Sequence, residues 1–286
     1  CSMLKGNREF VLLDDQKVVF ETAIDMAKKA QAGKKQVLIV EGGPGTGKSV
    51  IAINLLVNLT KQGLATKYVS KNTAPRSVYE AKLTGSFKKK FISNIFTGSG
   101  CFIDAPRDAF GALIVDEAHR LNEKSGLFSN KGENQIKEII CASRFSVFFV
   151  DDRQKIHIKD IGSKKRIKEI AETIGADVYV TSLASQFRCN GSDGYLSWLD
   201  NALQIRETAN IHLTQNEYDF KIFATPNDLF EAIKEKNKLN NKSRVVAGYC
   251  WDWKSKSNST EYDIVFPEFN FRKQWNLSSE NSPWLL

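Results

Sequence analysis

A lysine and a hydroxyl side by side after a run of glycines suit polyphosphate chemistry. Lys48 and Ser49 end the stretch at 37–49, VLIVEGGPGTGKS. Gly42, Gly47, Lys48 and Ser49 fit the spacing G-x-x-x-x-G-K-[ST], with Gly43, Pro44, Gly45 and Thr46 between them. Glycines let the backbone turn so that several N–H groups converge on phosphate oxygens. Lys48 supplies a point charge for the β- and γ-phosphates, and the Ser49 hydroxyl supplies a ligand for Mg2+. The cofactors this chemistry implies are ATP and Mg2+.

Four further groups are read against that loop. Residues 112–121, ALIVDEAHRL, put Asp116 and Glu117 after four apolar residues. Asp116 would hold Mg2+ directly or through water, and Glu117 would polarise the attacking water as a general base. His119 has two open readings, a link from the site to neighbouring elements or an ordinary hydrogen-bonded histidine. In 146–156, SVFFVDDRQKI, an apolar run ends in Asp151 and Gln154 follows. A glutamine amide there can contact both a γ-phosphate and a neighbouring domain. In 183–189, LASQFRC, Phe187 offers a flat π-face and Arg188 a planar fork suited to phosphate. In 10–16, FVLLDDQ, Gln16 carries a donor and an acceptor that match the two-sided edge of adenine.

These residues need elements to bring them together. Val18, Val19, Ala23, Ile24 and Ala27 recur with helical spacing after Asp14, so 14–32 is expected to be a helix. Short apolar strands are expected at 36–41, 66–70, 112–116, 146–151 and 177–181. Helices are expected at 48–61, 75–83, 132–142 and 163–174. Alternating β and α with wholly apolar strands predicts an α/β fold, a parallel sheet covered by helices on both faces. Ligands sit at the carboxyl edge of such sheets, where Glu41, Asp116 and Asp151 end their strands. A RecA-like ATP-binding domain over 1–183 is followed by a second α/β unit over 184–286. The second unit has expected helices at 192–205 and 227–238, strands at 220–224 and 244–249, and extended segments near 264–265 and 269–271. Trp251, Trp253, Trp275 and Trp284 lie in its tail among lysines. They fit either a stacking platform for bases or ordinary packing, and packing is the preferred reading.

With 286 residues the chain is long enough for one large domain or two smaller ones. Its five cysteines form no C-x-x-C pair, which excludes a zinc ribbon or a disulfide framework and suits the cytoplasm. No apolar run is long enough to span a bilayer, and the first ten residues lack the apolar core of a secretory signal. A net charge of +8 favours a polyanion partner. The absence of an initial Met and the ending SPWLL lead to the expectation of a fragment that stops inside a larger architecture.

In this order the five groups resemble superfamily 1 helicases. The blocks IVEGGPGTGKSVIAINLL, VSKNTAPRSVYE, QFRCNGSDGYLSWLDNAL and VVAGYCWDWKSK resemble the bacterial Schlafen-type DNA/RNA helicase-like ATPases over nearly the whole chain. The resemblance implies that Gln16 reads adenine and Phe187 stacks on it, and that Gln154 and Arg188 sense the γ-phosphate. It also implies that the loop Ser70, Lys71 and Asn72 touches single-stranded DNA or RNA. Val150 stands where that pattern has glycine. No later Gln-Gly-x-Glu or Thr-Arg-Ala-like element precedes Leu286, so motifs V and VI are missing. The expected function is a monomeric, Mg2+-dependent ATPase of helicase or translocase type, slow for want of an arginine finger. A nucleotide-gated nucleic-acid switch and an AAA+-like remodelling ATPase are the other readings.

Overall fold

The computed structural model describes residues 12, 14–72, 76, 78–79, 83–85, 88–126, 130–154, 157–184, 193–213, 219–248 and 250–275. The chain divides into two compact units, Cys1–Asn210 and Ile211–Leu286. The division at 183/184 read from the sequence thus falls inside the first unit.

In the first unit α1 (Asp14–Gln31) precedes β1 (Gln36–Gly42), α2 (Lys48–Lys61) and β2 (Thr66–Ser70). There follow α3 (Lys89–Ile95), β3 (Phe96–Thr97), β4 (Phe110–Asp116), α4 (Gln135–Ala142) and β5 (Ser143–Val150). The unit continues with α5 (Lys164–Thr173), β6 (Asp177–Leu183) and α6 (Asp193–Ala202). The six strands form one sheet in the order β3-β2-β4-β5-β1-β6, and every pairing is parallel.

Period-two alternation splits each central strand between two cores. Leu38 and Val40 of β1, Ala112 and Ile114 of β4, and Phe145, Val147 and Phe149 of β5 pack with α1 and α2. Val37, Ile39, Leu113, Val115, Phe148 and Val150 pack with α4 and α5 on the other face. Burial on both faces explains why these strands read as continuous apolar runs. Helix α2 is nearly all apolar because it lies under the sheet: Ile51, Leu55, Leu56 and Leu59 are fully buried. Asn134 caps α4 by accepting from the N–H groups of Ile136 and Lys137, and Ser163 caps α5 through Arg166 N–H.

The second unit differs from the expectation. It contains α7 (Pro226–Asn240) and an antiparallel pair, β7 (Ile264–Phe266) and β8 (Phe271–Lys273). Helix α7 begins with Thr225 as its cap and Pro226 in its first turn, where a missing N–H costs nothing. The strands expected at 220–224 and 244–249 do not form among the described residues. Ile222 and Val246 are 88% and 89% exposed. A β-prone run becomes a strand only when a neighbouring strand takes up its N–H and C=O groups, and among the described residues neither run is paired with one. The aromatic tail packs on itself. Trp253 and Trp275 meet edge to face at 5.8 Å, and Trp275 Nε1–H donates to Ala247 O at 3.0 Å. Trp284 lies outside the described residues.

Candidate nucleotide site

Strand β1 lies inside the sheet, between β5 and the edge strand β6, and delivers its carboxyl end, Gly42, into the loop that starts α2. Gly47 has φ 85, a left-handed conformation in which a Cβ is strained. A Cβ there would also come within 2.2 Å of Gln16 Nε2. Gln16 is buried and donates to Thr46 O at 3.2 Å, so α1 braces the loop from outside. Thr46 Oγ1 in turn donates to Gly43 O at 3.0 Å.

Lys48 is 7% exposed. Its ammonium donates to the carbonyls of Gly42 at 2.6 Å and Gly43 at 2.7 Å, inside the loop it belongs to. The loop thus folds its cation back onto two of its own carbonyls.

Strand β4 delivers Asp116 to the same place. The Ser49 hydroxyl donates to Asp116 Oδ2 at 2.7 Å, and the Tyr68 phenol donates to the same oxygen at 2.5 Å. Glu117 N–H donates to Asp116 Oδ1 at 3.0 Å. Burial pushes the Asp116 carboxyl above its ordinary range; the Tyr68 and Ser49 hydrogen bonds pull it back only in part, and the Glu117 charge adds to the rise. Burial first, then the Asp116 charge, raises the Tyr68 phenol, so it stays protonated and able to donate. Serine hydroxyl and carboxylate are hard oxygen donors. Mg2+ typically takes one or two protein oxygens and completes its shell with water and phosphate. A buried carboxylate with a raised pKa fits such a cation, which would favour its charged form.

Glu117 leaves the strand with φ 53. Its Oε2 lies 3.1 Å from His119 Nε2, out of line for a well-directed hydrogen bond but close enough for charge to matter. His119 does most to hold the Glu117 carboxyl below the ordinary glutamate range; Lys48 and Arg120 add to this and burial opposes it. The other imidazole nitrogen, Nδ1, accepts from Asp151 N–H at 3.2 Å. His119, buried, therefore ties the end of β4 to the end of β5. This arrangement is compatible with both of its readings, a link between elements and a hydrogen-bonded buried histidine.

Gln154 ends a single 3-10 turn, Asp152–Gln154, directly after β5. A cavity of about 930 Å³ has Gly42, Gly43, Pro44, Asp151 and Gln154 in its wall, within the size range of small-molecule sites. Arg206, beyond α6, also lines it. Phe187 and Arg188 lie outside the described residues.

Ser70, Lys71 and Asn72 follow β2. Ser70 is fully buried and Asn72 exposed. The Lys71 ammonium donates to Asn122 Oδ1 at 2.8 Å and to Asp160 Oδ1 at 3.1 Å. Tyr68 and Asp160 were not singled out in the sequence. Tyr68 reads as an ordinary inward residue of β2, and Asp160 lies in a stretch with no motif. Among the described residues no helix is long and apolar enough to cross a membrane.

A parallel sheet in which an interior strand feeds a glycine loop, with Lys48, Ser49 and Asp116 gathered at its end, defines a P-loop ATPase-type domain. The family model for the Schlafen group 3, DNA/RNA helicase domain matches residues 35–286, and the chain belongs to that family. It is also similar to the uncharacterized protein YPL245W of Saccharomyces cerevisiae, 24% identical over 282 residues that cover 86% of this chain and 61% of that protein. The chain thus spans less than two thirds of that relative. Among solved structures it is similar to Pif1 helicase from Candida albicans, with 15% identity, 80% of this chain and 55% of that one covered, and a TM-score of 0.43. AMPPCP-bound DnaA from Aquifex aeolicus matches with 13% identity, 82% and 63% coverage, and a TM-score of 0.35.

Proposed function

We propose that this chain is the ATP-binding part of a helicase- or translocase-type motor that hydrolyses ATP with Mg2+ while engaging single-stranded DNA or RNA in the cytoplasm. The observation that carries the reading is the meeting of Ser49 and Asp116 at 2.7 Å, with Glu117 next in sequence and Lys48 in the adjoining loop.

In this reading Lys48 exchanges the Gly42 and Gly43 carbonyls for β- and γ-phosphate oxygens, and Gly42–Gly47 backbone N–H groups hold the remaining oxygens. Ser49 and Asp116 would hold Mg2+, which supplies charge neutralisation across the phosphates when bound. Glu117 accepts the proton of the attacking water as that water's oxygen bonds to the γ-phosphorus and the bond to the leaving ADP oxygen breaks. Its low pKa keeps it unprotonated and ready to accept. Gln154 contacts the γ-phosphate. Gln16 reads the adenine edge from a position already braced on the loop, and Phe187 and Arg188 provide stacking and a second phosphate contact. Lys71 and Asn72 face the nucleic acid, while Ser70, fully buried, takes no direct part and supports the turn by donating to Asn72 O at 3.4 Å. The chain acts as a monomer.

The sequence holds no later arginine in a motif VI setting, and loss of such a finger costs roughly 10³–10⁵ in rate. This chain is therefore expected to bind ATP and turn it over slowly. A nucleotide-gated switch that binds nucleic acid without unwinding is the second reading. Glu117→Gln tests the assignment. It should retain ATP affinity and lose hydrolysis by roughly 10²–10⁴-fold in a single-turnover assay. Wild-type hydrolysis by that variant would remove Glu117 from the mechanism.

A further inference from the structure

Asp160 is fully buried in the loop after β5, yet the mechanism above makes no use of it. Its Oδ1 accepts from the Lys71 ammonium at 3.1 Å. Its Oδ2 accepts from His157 N–H at 3.1 Å and lies 3.6 Å from Arg120 Nε. Two cations therefore converge on one carboxylate, each from the exit of a different strand, β2 and β4. The stretch around Asp160 is also fastened to the segment after Glu117. Ile161 N–H donates to Leu121 O at 2.8 Å, and Asp160 pairs with Asn122 as an antiparallel bridge. At Gly162 the fit is so close that a Cβ would stand 1.8 Å from Ala118 O.

The fastened segment, 118–122, contains His119, the residue that meets both Glu117 and Asp151 N–H. An unbroken run of contacts thus leads from Lys71, at the proposed nucleic-acid loop, through Asp160 to Glu117. Lys71 is the most exposed member of the cluster, its side chain 27% accessible against 20% for Arg120, and Asp160 is sealed. The cluster holds two positive charges against one negative charge, so a surplus of positive charge remains to attract a polyanion.

We propose that Asp160 is a positioning residue that couples nucleic-acid contact at Lys71 to the setting of Glu117, so that each ligand changes the affinity for the other. This deepens the motor reading and rests on it. When a nucleic-acid phosphate draws on Lys71, the Lys71–Asp160 pair weakens and Asp160 shifts its charge onto Arg120. The segment 118–122 moves with Arg120 and carries His119 relative to Glu117. Reciprocity follows from linkage, because the two sites bias one element.

The test measures binding of fluorescent oligo(dT) and oligo(U) to the full chain by anisotropy, with and without Mg2+ and a non-hydrolysable ATP analogue. For the wild-type protein the ratio of the two dissociation constants is expected to depart from one by at least about fivefold. Asp160→Asn keeps the shape and an acceptor for His157 N–H but removes the charge. It should bring that ratio to within about twofold of one, with nucleotide affinity changed by less than about threefold. Gly162→Ala parts the two segments without touching any charge and should do the same, so it decides the matter if Asp160→Asn does not fold. A wild-type ratio in either folded variant overturns the inference. So does a wild-type protein that binds both ligands with a ratio of one, which leaves the motor reading standing. A wild-type protein that binds the nucleotide and neither oligonucleotide overturns the motor reading itself, and the coupling with it.

Discussion

Ser49, at the first turn of α2, donates its hydroxyl hydrogen to Asp116, at the last position of β4, across 2.7 Å and 67 residues of chain. The contact exists because β1 and β4 flank β5 in a parallel sheet, so their carboxyl ends open on the same edge. It joins the hydroxyl that follows the phosphate-loop lysine to the carboxylate that precedes the proposed base.

Lys48→Ala removes the only side-chain cation of the loop itself. Charge-assisted hydrogen bonds contribute about 1.5–3 kcal/mol each, so ATP affinity should fall by roughly 10–100-fold. Titration with a fluorescent ATP analogue measures this, and an unchanged far-ultraviolet circular dichroism spectrum shows that the fold survives. Retained affinity would mean that the backbone alone holds the nucleotide.

His119→Ala should affect stability and catalysis together. It leaves Asp151 N–H buried with no acceptor at this position, a cost of about 1–3 kcal/mol. It also removes the group that does most to hold Glu117 below its ordinary range, so the acid limb of the rate profile should move to higher pH. Thermal melting and a pH–rate series check the two effects.

Asp160 makes the first unit sensitive to acid. Burial pushes its carboxyl up, but Lys71, His157 N–H and Arg120 outweigh that and hold it below the ordinary value. A carboxylate lowered in the folded state stabilises it at pH above its unfolded pKa of about 3.9, and that stability is lost as pH falls through the lowered folded value. Lys71→Met should move the folded value back up and shrink the stabilisation seen above about pH 4. Urea unfolding across an acid pH series reads the difference between the two proteins, and parallel curves would show that Lys71 contributes nothing.

Asp263 organises the second unit. It accepts from Ser255 N–H at 2.8 Å, from the Ser255 hydroxyl at 2.5 Å and from Trp275 N–H at 2.8 Å. Asp263→Ala leaves these donors unpaired and should cost about 1–3 kcal/mol. Trp253 and Trp275 report the loss by fluorescence. A tail built to stack bases would instead keep its fold in this variant and respond to added oligonucleotide.

Local pattern was enough for much of the chain. The spacing around Lys48 determined the phosphate loop, because a tight glycine turn between strand and helix is settled within about ten residues. Apolar runs at 36–41 and 112–116 determined buried parallel strands, since such residues are stable only with both faces covered. The runs at 220–224 and 244–249 carry the same local signal and form no strand among the described residues, because pairing depends on neighbours that a local pattern does not contain.

The tertiary structure alone decided which distant groups meet. Strand order put Tyr68 on Asp116, a contact no spacing announces. It turned Gln16 onto Thr46 O across the start of α2 and set His119 between Glu117 and Asp151. It drew Lys71 away from plain exposure and onto Asp160, 89 residues along the chain. Sequence encodes what each side chain can do. A buried charge finds its partner only where the packed sheet edge, by excluding water, makes that partner the one available.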